Sequence, residues 1–194
     1  MRPWSVHALT LAIALLAGLP ATAQNMAAGH MSGGHMHGAD GTGHDMMTMP
    51  GLRGLDATPE ESAELAALFR NFSGLNRDVE ILPDGIRTYT WSDHPALAAV
   101  LVSHVGGMLQ RVEEGRDPQV FIQSPTLDIL FQRGETINTE IEVTDVGVWV
   151  TQTSTDREVV AALQTHAGEV SDMAARGMQA VHEMMMQRAA AAGQ

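Results

Sequence analysis

The sequence predicts an α+β fold: a duplicated β-hairpin-helix unit forming one antiparallel sheet, with the helices packed on one face and a pseudo-two-fold axis between the halves. Three observations carry that expectation. Alternating runs flank turn residues, as in "VEILPDGIRTYTW". Apolar residues at helical spacing follow each pair of runs. Residues 78–115 also lie over residues 140–177 at a constant offset of 62, without a gap and with eight identities in 38 positions.

The elements follow in order. Thr58-Pro59-Glu60-Glu61 reads as a helix start: Thr58 caps, Pro takes the first helical position and acids occupy the first turn. Leu65, Leu68, Phe69 and Phe72 share one face of that helix, which should end near Gly74. A hairpin turns at Pro83-Asp84-Gly85, and Ser92 or Asp93 can cap the next helix. In that helix Leu97, Leu101, His104, Met108 and Val112 recur at helical spacing until Gly115. The segment from Val120 to Ser154 is strand-like throughout and should give three or four strands, with turns at Ser124-Pro125, Arg133-Gly134 and Val146-Gly147. Thr155-Asp156-Arg157-Glu158 reads as a capping box opening a single helix past Met184, with Val159, Leu163, His166, Val170, Met173 and Gly177 on one face.

Residues 1–23 read as a secretory signal peptide. Arg2 and His7 precede the apolar run Ala8 to Leu19, Pro20 breaks it, and Ala21-Thr22-Ala23 has the small-x-small form of a cleavage site. That run is short for a bilayer span, and no later stretch approaches one, so no membrane span is expected after cleavage. The periplasm is the expected compartment, with release from the cell as the alternative. No twin-arginine pair precedes the run, so any cofactor should be acquired after export. Residues 24–54 form an expected disordered arm, 55–188 a single domain containing the repeat, and 189–194 a disordered tail.

Composition restricts the chemistry. The chain has no cysteine, hence no disulfide and no thiolate metal site, and all eleven basic residues are arginine, which removes Schiff-base lysines. Loss of Arg2 with the leader takes the formal charge from −12 to −13, which argues against nucleic acid as a partner. None of G-x-S-x-G, H-E-x-x-H, the phosphate-binding loop or the dinucleotide fingerprint is present, and no catalytic residue is assigned. Trp91 and Trp149 fall on strands and read as core residues, with the flank of a ligand as the alternative for either.

Metal-ligand chemistry is what remains. The arm offers His30, Met31, His35, Met36, His37, His44, Met46 and Met47 within one glycine-rich stretch. Thioether suits Cu(I), imidazole suits copper in both oxidation states as well as zinc, and the methionines favour copper. Against this stands an exported low-complexity linker of accidental composition. A second set is His104 and His166, equivalent positions of the repeat. A lone histidine on an apolar helix face is ordinarily a satisfied core residue. If the two long helices pair across the axis, however, the two imidazoles meet there, with Met108 and Met173 as further thioethers. A third set is Met178, His182 and Met185 or Met186 on the last helix, where gap-filling methionine is the ordinary reading.

In "HMSGGHMHGADGTGHDMM" and "MQAVHEMMM" the chain resembles the Met- and His-rich copper-handling proteins of the bacterial periplasm. The resemblance is compositional and covers the arm and last helix, roughly a quarter of the chain. It implies copper as cargo and another periplasmic copper protein as partner. Many of those proteins are β-barrels, whereas this chain reads as α+β, so none of their ligand residues carries over. The expected function is that of a metal-binding copper chaperone or copper-tolerance factor, not an enzyme, that captures Cu(I) with the arm and holds it at His104 and His166. Two alternatives stand beside it: noncovalent haem bound by the two histidines, there being no C-x-x-C-H, and an interaction module with inert histidines.

Overall fold

The computed structural model describes residues 49–193. The expected leader and the eight candidate ligands of the arm, from His30 to Met47, lie outside the described residues. Five helices and four strands follow in the order α1 (Pro59–Arg70), β1 (Asn76–Leu82), β2 (Gly85–Trp91), α2 (Pro95–Glu113), α3 (Pro125–Gln132), β3 (Ile137–Val143), β4 (Gly147–Ser154), α4 (Arg157–Arg176) and α5 (Met178–Ala192). All strands pair antiparallel in the order β1-β2-β4-β3, so the two hairpins join through β2 and β4.

The register gives the duplication a geometric form. Asn76 faces Trp91 in the first hairpin, and Asn138 faces Thr153 in the second, the same pairing shifted by the sequence offset. At the centre Thr88 pairs with Val150, two equivalent positions, so the pseudo-two-fold axis passes between them. Gly85 and Gly147 are related by it: a Cβ on the first would lie 1.9 Å from the Gln152 carbonyl oxygen, and on the second 2.2 Å from that of Thr90. Only glycine lets the central strands approach so closely at both ends.

The repeat is longer than the sequence reading proposed. Pro125–Gln132 is a helix, not a strand, and it is the counterpart of α1: Leu65, Leu68 and Phe69 correspond to Leu127, Leu130 and Phe131. A 3-10 turn follows each, at Phe72–Gly74 and Gly134–Thr136. Each repeat is therefore short helix, hairpin, long helix. Each also builds its own core with equivalent residues, Leu68, Leu97 and Leu101 in the first and Leu130, Val159 and Leu163 in the second.

Caps explain where the helices begin. Thr58 and Glu61 form the expected capping box, exchanging bonds of 3.1 and 2.8 Å. Ser92 and Ser154 each accept from the backbone N–H two residues on, at His94 (3.2 Å) and Asp156 (3.1 Å). The N-cap positions themselves are thus His94 and Asp156, in place of the expected Ser92 or Asp93 and the box from Thr155. Gly115 and Gly177, also equivalent, adopt φ of +63° and +57° where the long helices end. The second of these breaks the expected single C-terminal helix into α4 and α5.

Order also reaches further toward the N-terminus than Gly54. Met49 and Leu52 are buried with Ala66, Phe69, Ile122 and Val181, and Met173, Met178, Met184 and Met185 pack around them. This third core has no counterpart across the axis. Arg111 of α2, only 2% exposed, ties α2 to α1 and to the segment before it. Its guanidinium binds Glu61 at 2.6 and 2.8 Å, the Asp56 carboxylate at 2.8 Å and the Asp56 carbonyl at 2.7 Å.

Candidate functional site

In each repeat the short helix packs on the long one, and the seam between the two is its helix crevice. The helix pairs are α1 with α2 and α3 with α4; α2 extends over β4 and β3, and α4 over β2 and β1. The long helices do not pair with each other across the axis. His104 and His166 therefore face different crevices, each lined by its own short helix.

Both crevices hold a histidine, a glutamate and a serine, assembled in opposite ways. In the first, Glu64 of α1 accepts a 2.5 Å bond from the Ser103 hydroxyl of α2, beside His104. In the second, Glu169 of α4 accepts a 2.6 Å bond from the Ser124 hydroxyl that caps α3, beside His166. Position 126, the counterpart of Glu64, is threonine, and position 107, the counterpart of Glu169, is glycine. The carboxylate has changed helices between the copies.

That exchange changes the imidazole. Glu169 reaches His166: its second oxygen lies 3.4 Å from Nδ1 while the first also accepts from Thr126 at 3.2 Å. Burial alone would raise the Glu169 carboxyl, but bonds from His166, Ser124 and Thr126 outweigh it and hold the group below its ordinary value. The carboxylate contact on Nδ1 leaves Nε2 of His166 as the atom free for another partner. Glu64 makes no such bond. The residue His104 is half-buried, yet its Nδ1 is shielded from solvent and has no hydrogen-bond partner among the described residues. Burial pushes the His104 imidazole down, and the nearby Glu64 and Glu61 only partly offset that, so the ring is neutral at physiological pH.

Met108 lies one helical turn beyond His104 and is half-buried, a spacing that places it on the same face. The remaining candidates are distributed differently. Met173 and Met178 pack in the third core around Met49 and Leu52, a role that needs no metal. His182 is exposed on α5. Among the described residues, no three His, Asp or Glu side chains converge as a ready-made metal cage.

One arrangement went unread in the sequence. Trp91 and Trp149 are not core residues; they stand on the sheet face away from the helices, on either side of Tyr89. Ring centroids are 4.7 Å apart from Trp91 to Tyr89 and 4.5 Å from Tyr89 to Trp149, with planes within 15° and 14°. The alternation of strand residues carried the signal: Ile86, Thr88 and Thr90 are buried, while Arg87, Tyr89 and Trp91 take the other side.

Fold and crevices together define an internally duplicated α+β protein with a histidine at the equivalent position of each long helix. No protein-family model, no curated protein and no solved structure matches the chain.

Proposed function

We propose that this is an exported metal-binding protein that handles a soft ion, Cu(I) foremost, in the manner of a chaperone or tolerance factor. The observation that carries the reading is His104: a half-buried, neutral imidazole whose shielded Nδ1 has no partner among the described residues, with a thioether one turn away. An unpaired buried nitrogen costs about 1–3 kcal/mol, which a bound ion would recover. Neutral nitrogen and thioether suit Cu(I), which tolerates two or three ligands. The Met- and His-rich arm, outside the described residues, supplies the rest of the reading: it would capture the ion and share it with His104 and Met108.

His166 has a different part in this scheme. With Nδ1 turned to Glu169, its Nε2 is the better ligand for an ion in exchange with solvent, and Glu169 would keep the ring oriented.

Competition titration of the full chain with Cu(I) against a chromogenic chelator tests the proposal. The expected result is binding at micromolar Cu(I) or tighter, with His104→Ala losing one equivalent and His166→Ala losing less. No binding at all would end the reading. Binding unchanged in both variants would end the part assigned to the folded domain.

A further inference from the structure

The sheet face opposite the helices carries an organised arrangement that the metal reading does not use. Asp78, Tyr89, Trp149 and Glu142 lie in register across all four strands, with the two rings in the middle and a carboxylate at either side. The neighbouring row repeats the scheme with Glu80, Arg87, Thr151 and Glu140. Tyr89 is sandwiched between the two indoles, and the Arg87 guanidinium caps the stack, 4.7 Å from the Trp149 ring.

Two features say what this face recognises. The four carboxylates are exposed, and none of them makes a hydrogen bond or an ion pair with another described residue. Arg87 is the one basic residue among them, so the face is acidic by three charges. Moreover, Arg87 over Trp149 shows a guanidinium seated on an indole of this very stack, the contact a cation makes with a π-face. Aromatic faces ringed by unpaired carboxylates attract cations through both the quadrupole and the charge.

A second copy of the chain does not fit. A two-fold dimer through this face would oppose eight carboxylates with two arginines, on a chain already at −12. Nor is the face concave enough to enclose a small ligand: it is an open, twisted sheet with both edge strands exposed. A flat acidic surface with an aromatic centre suits an extended polypeptide, whose alternate side chains would fall along the rows.

We propose that this sheet face is a docking surface for an extended, arginine- or lysine-bearing segment of a partner protein, whose cationic side chains extend the stack begun by Arg87 and pair with Asp78, Glu80, Glu140 and Glu142. The surface lies on the far side of the sheet from both histidine crevices, so it stands or falls separately from the metal reading.

The chain contains three tryptophans, Trp4, Trp91 and Trp149. Full-length protein carrying Trp4→Phe therefore reports this face alone through its tryptophan emission. Titration with a nona-arginine peptide should change that emission, and the binding should weaken as salt is added. The double variant Asp78→Asn with Glu142→Gln should bind about tenfold more weakly, whereas Glu114→Gln, at the end of α2, should not. Circular dichroism of the double variant, expected to match the parent, separates lost binding from lost fold. Four results would overturn the proposal: silent emission at millimolar peptide, equal binding by the double variant, an equal loss in Glu114→Gln, or spermidine binding as tightly per charge as the peptide.

Discussion

The two repeats have the same strand register, the same serine ahead of each long helix and three equivalent leucine or valine core positions, yet opposite electrostatics in their helix crevices. In the second, the glutamate sits on the same helix as its histidine and reaches the ring. In the first, it sits on the facing helix, bonds a serine, and leaves the ring nitrogen unpaired. Duplication thus fixed the framework and left the polar residues free to diverge. The structural equivalence of His104 and His166 does not make them chemically equivalent: among the described residues only the first has a shielded ring nitrogen without a partner.

The largest test of this divergence lies at position 111 and its counterpart 173. Arg111 is a buried clamp on Asp56 and Glu61; Met173 is a filler in the third core. Arg111→Ala takes the buried guanidinium from a half-buried Glu61 and an exposed Asp56, and should cost about 3 kcal/mol in urea unfolding. Met173→Ala, which removes only packing from a half-buried site, should cost about 2 kcal/mol. Equal losses would mean that the clamp is no more than a surface ion pair.

The same clamp should be visible through protons. The bond from Arg111 holds the Glu61 carboxyl, against the opposing effect of burial, at about 2 in place of 4.5. A carboxyl lowered on folding stabilises the fold above its unfolded value and loses that contribution as the pH falls toward the folded one. Melting temperature should therefore drop across the window from 4.5 down to about 2. The counterpart in the second repeat is Gln123, which has no such proton. Glu61→Gln should flatten the acid limb of the melting profile; an unchanged limb would place the acid sensitivity elsewhere.

Where the halves are alike, they should respond alike. Gly85→Ala and Gly147→Ala each drive a methyl into the opposing strand's carbonyl, and each should cost about 1–3 kcal/mol. Thermal unfolding of the pair would show a marked inequality only if one end of the central strands can open more readily than the other.

Much of this was legible in the sequence because the relevant signals are local. Alternation about Pro83-Asp84-Gly85 and Val146-Gly147 gives hairpins, and the long helices repeat their apolar face often enough to be unmistakable. The helix α3 was hidden. Its eight residues include Ile129, Leu130 and Phe131, which suit a buried strand equally well, and two turns are too few for a period to emerge. Continuing the repeat upstream would have revealed it, since Leu65, Leu68 and Phe69 recur as Leu127, Leu130 and Phe131. Missing α3 also misplaced the histidines: without a short helix to cover each long one, the long helices had only each other to pack against. Similarly, apolar spacing passes through Gly177 without interruption, and only its equivalence to Gly115, a helix end, marks the break.

The smallest effect bears most directly on the comparison. In metal-free protein, His104→Leu removes a polar nitrogen that has no partner and keeps the side chain's bulk, so unfolding should become harder by about 1 kcal/mol. His166→Leu does the reverse. It takes from Glu169 one of the bonds that hold its carboxyl down, leaving Ser124 and Thr126 to satisfy it, and should destabilise by a similar amount. Opposite signs from equivalent substitutions would show that the first crevice keeps a costly imidazole that the fold does not need, which is what a retained ligand looks like. Two losses of the same sign would instead make His104 a packing residue, and the metal reading would then rest on the arm alone.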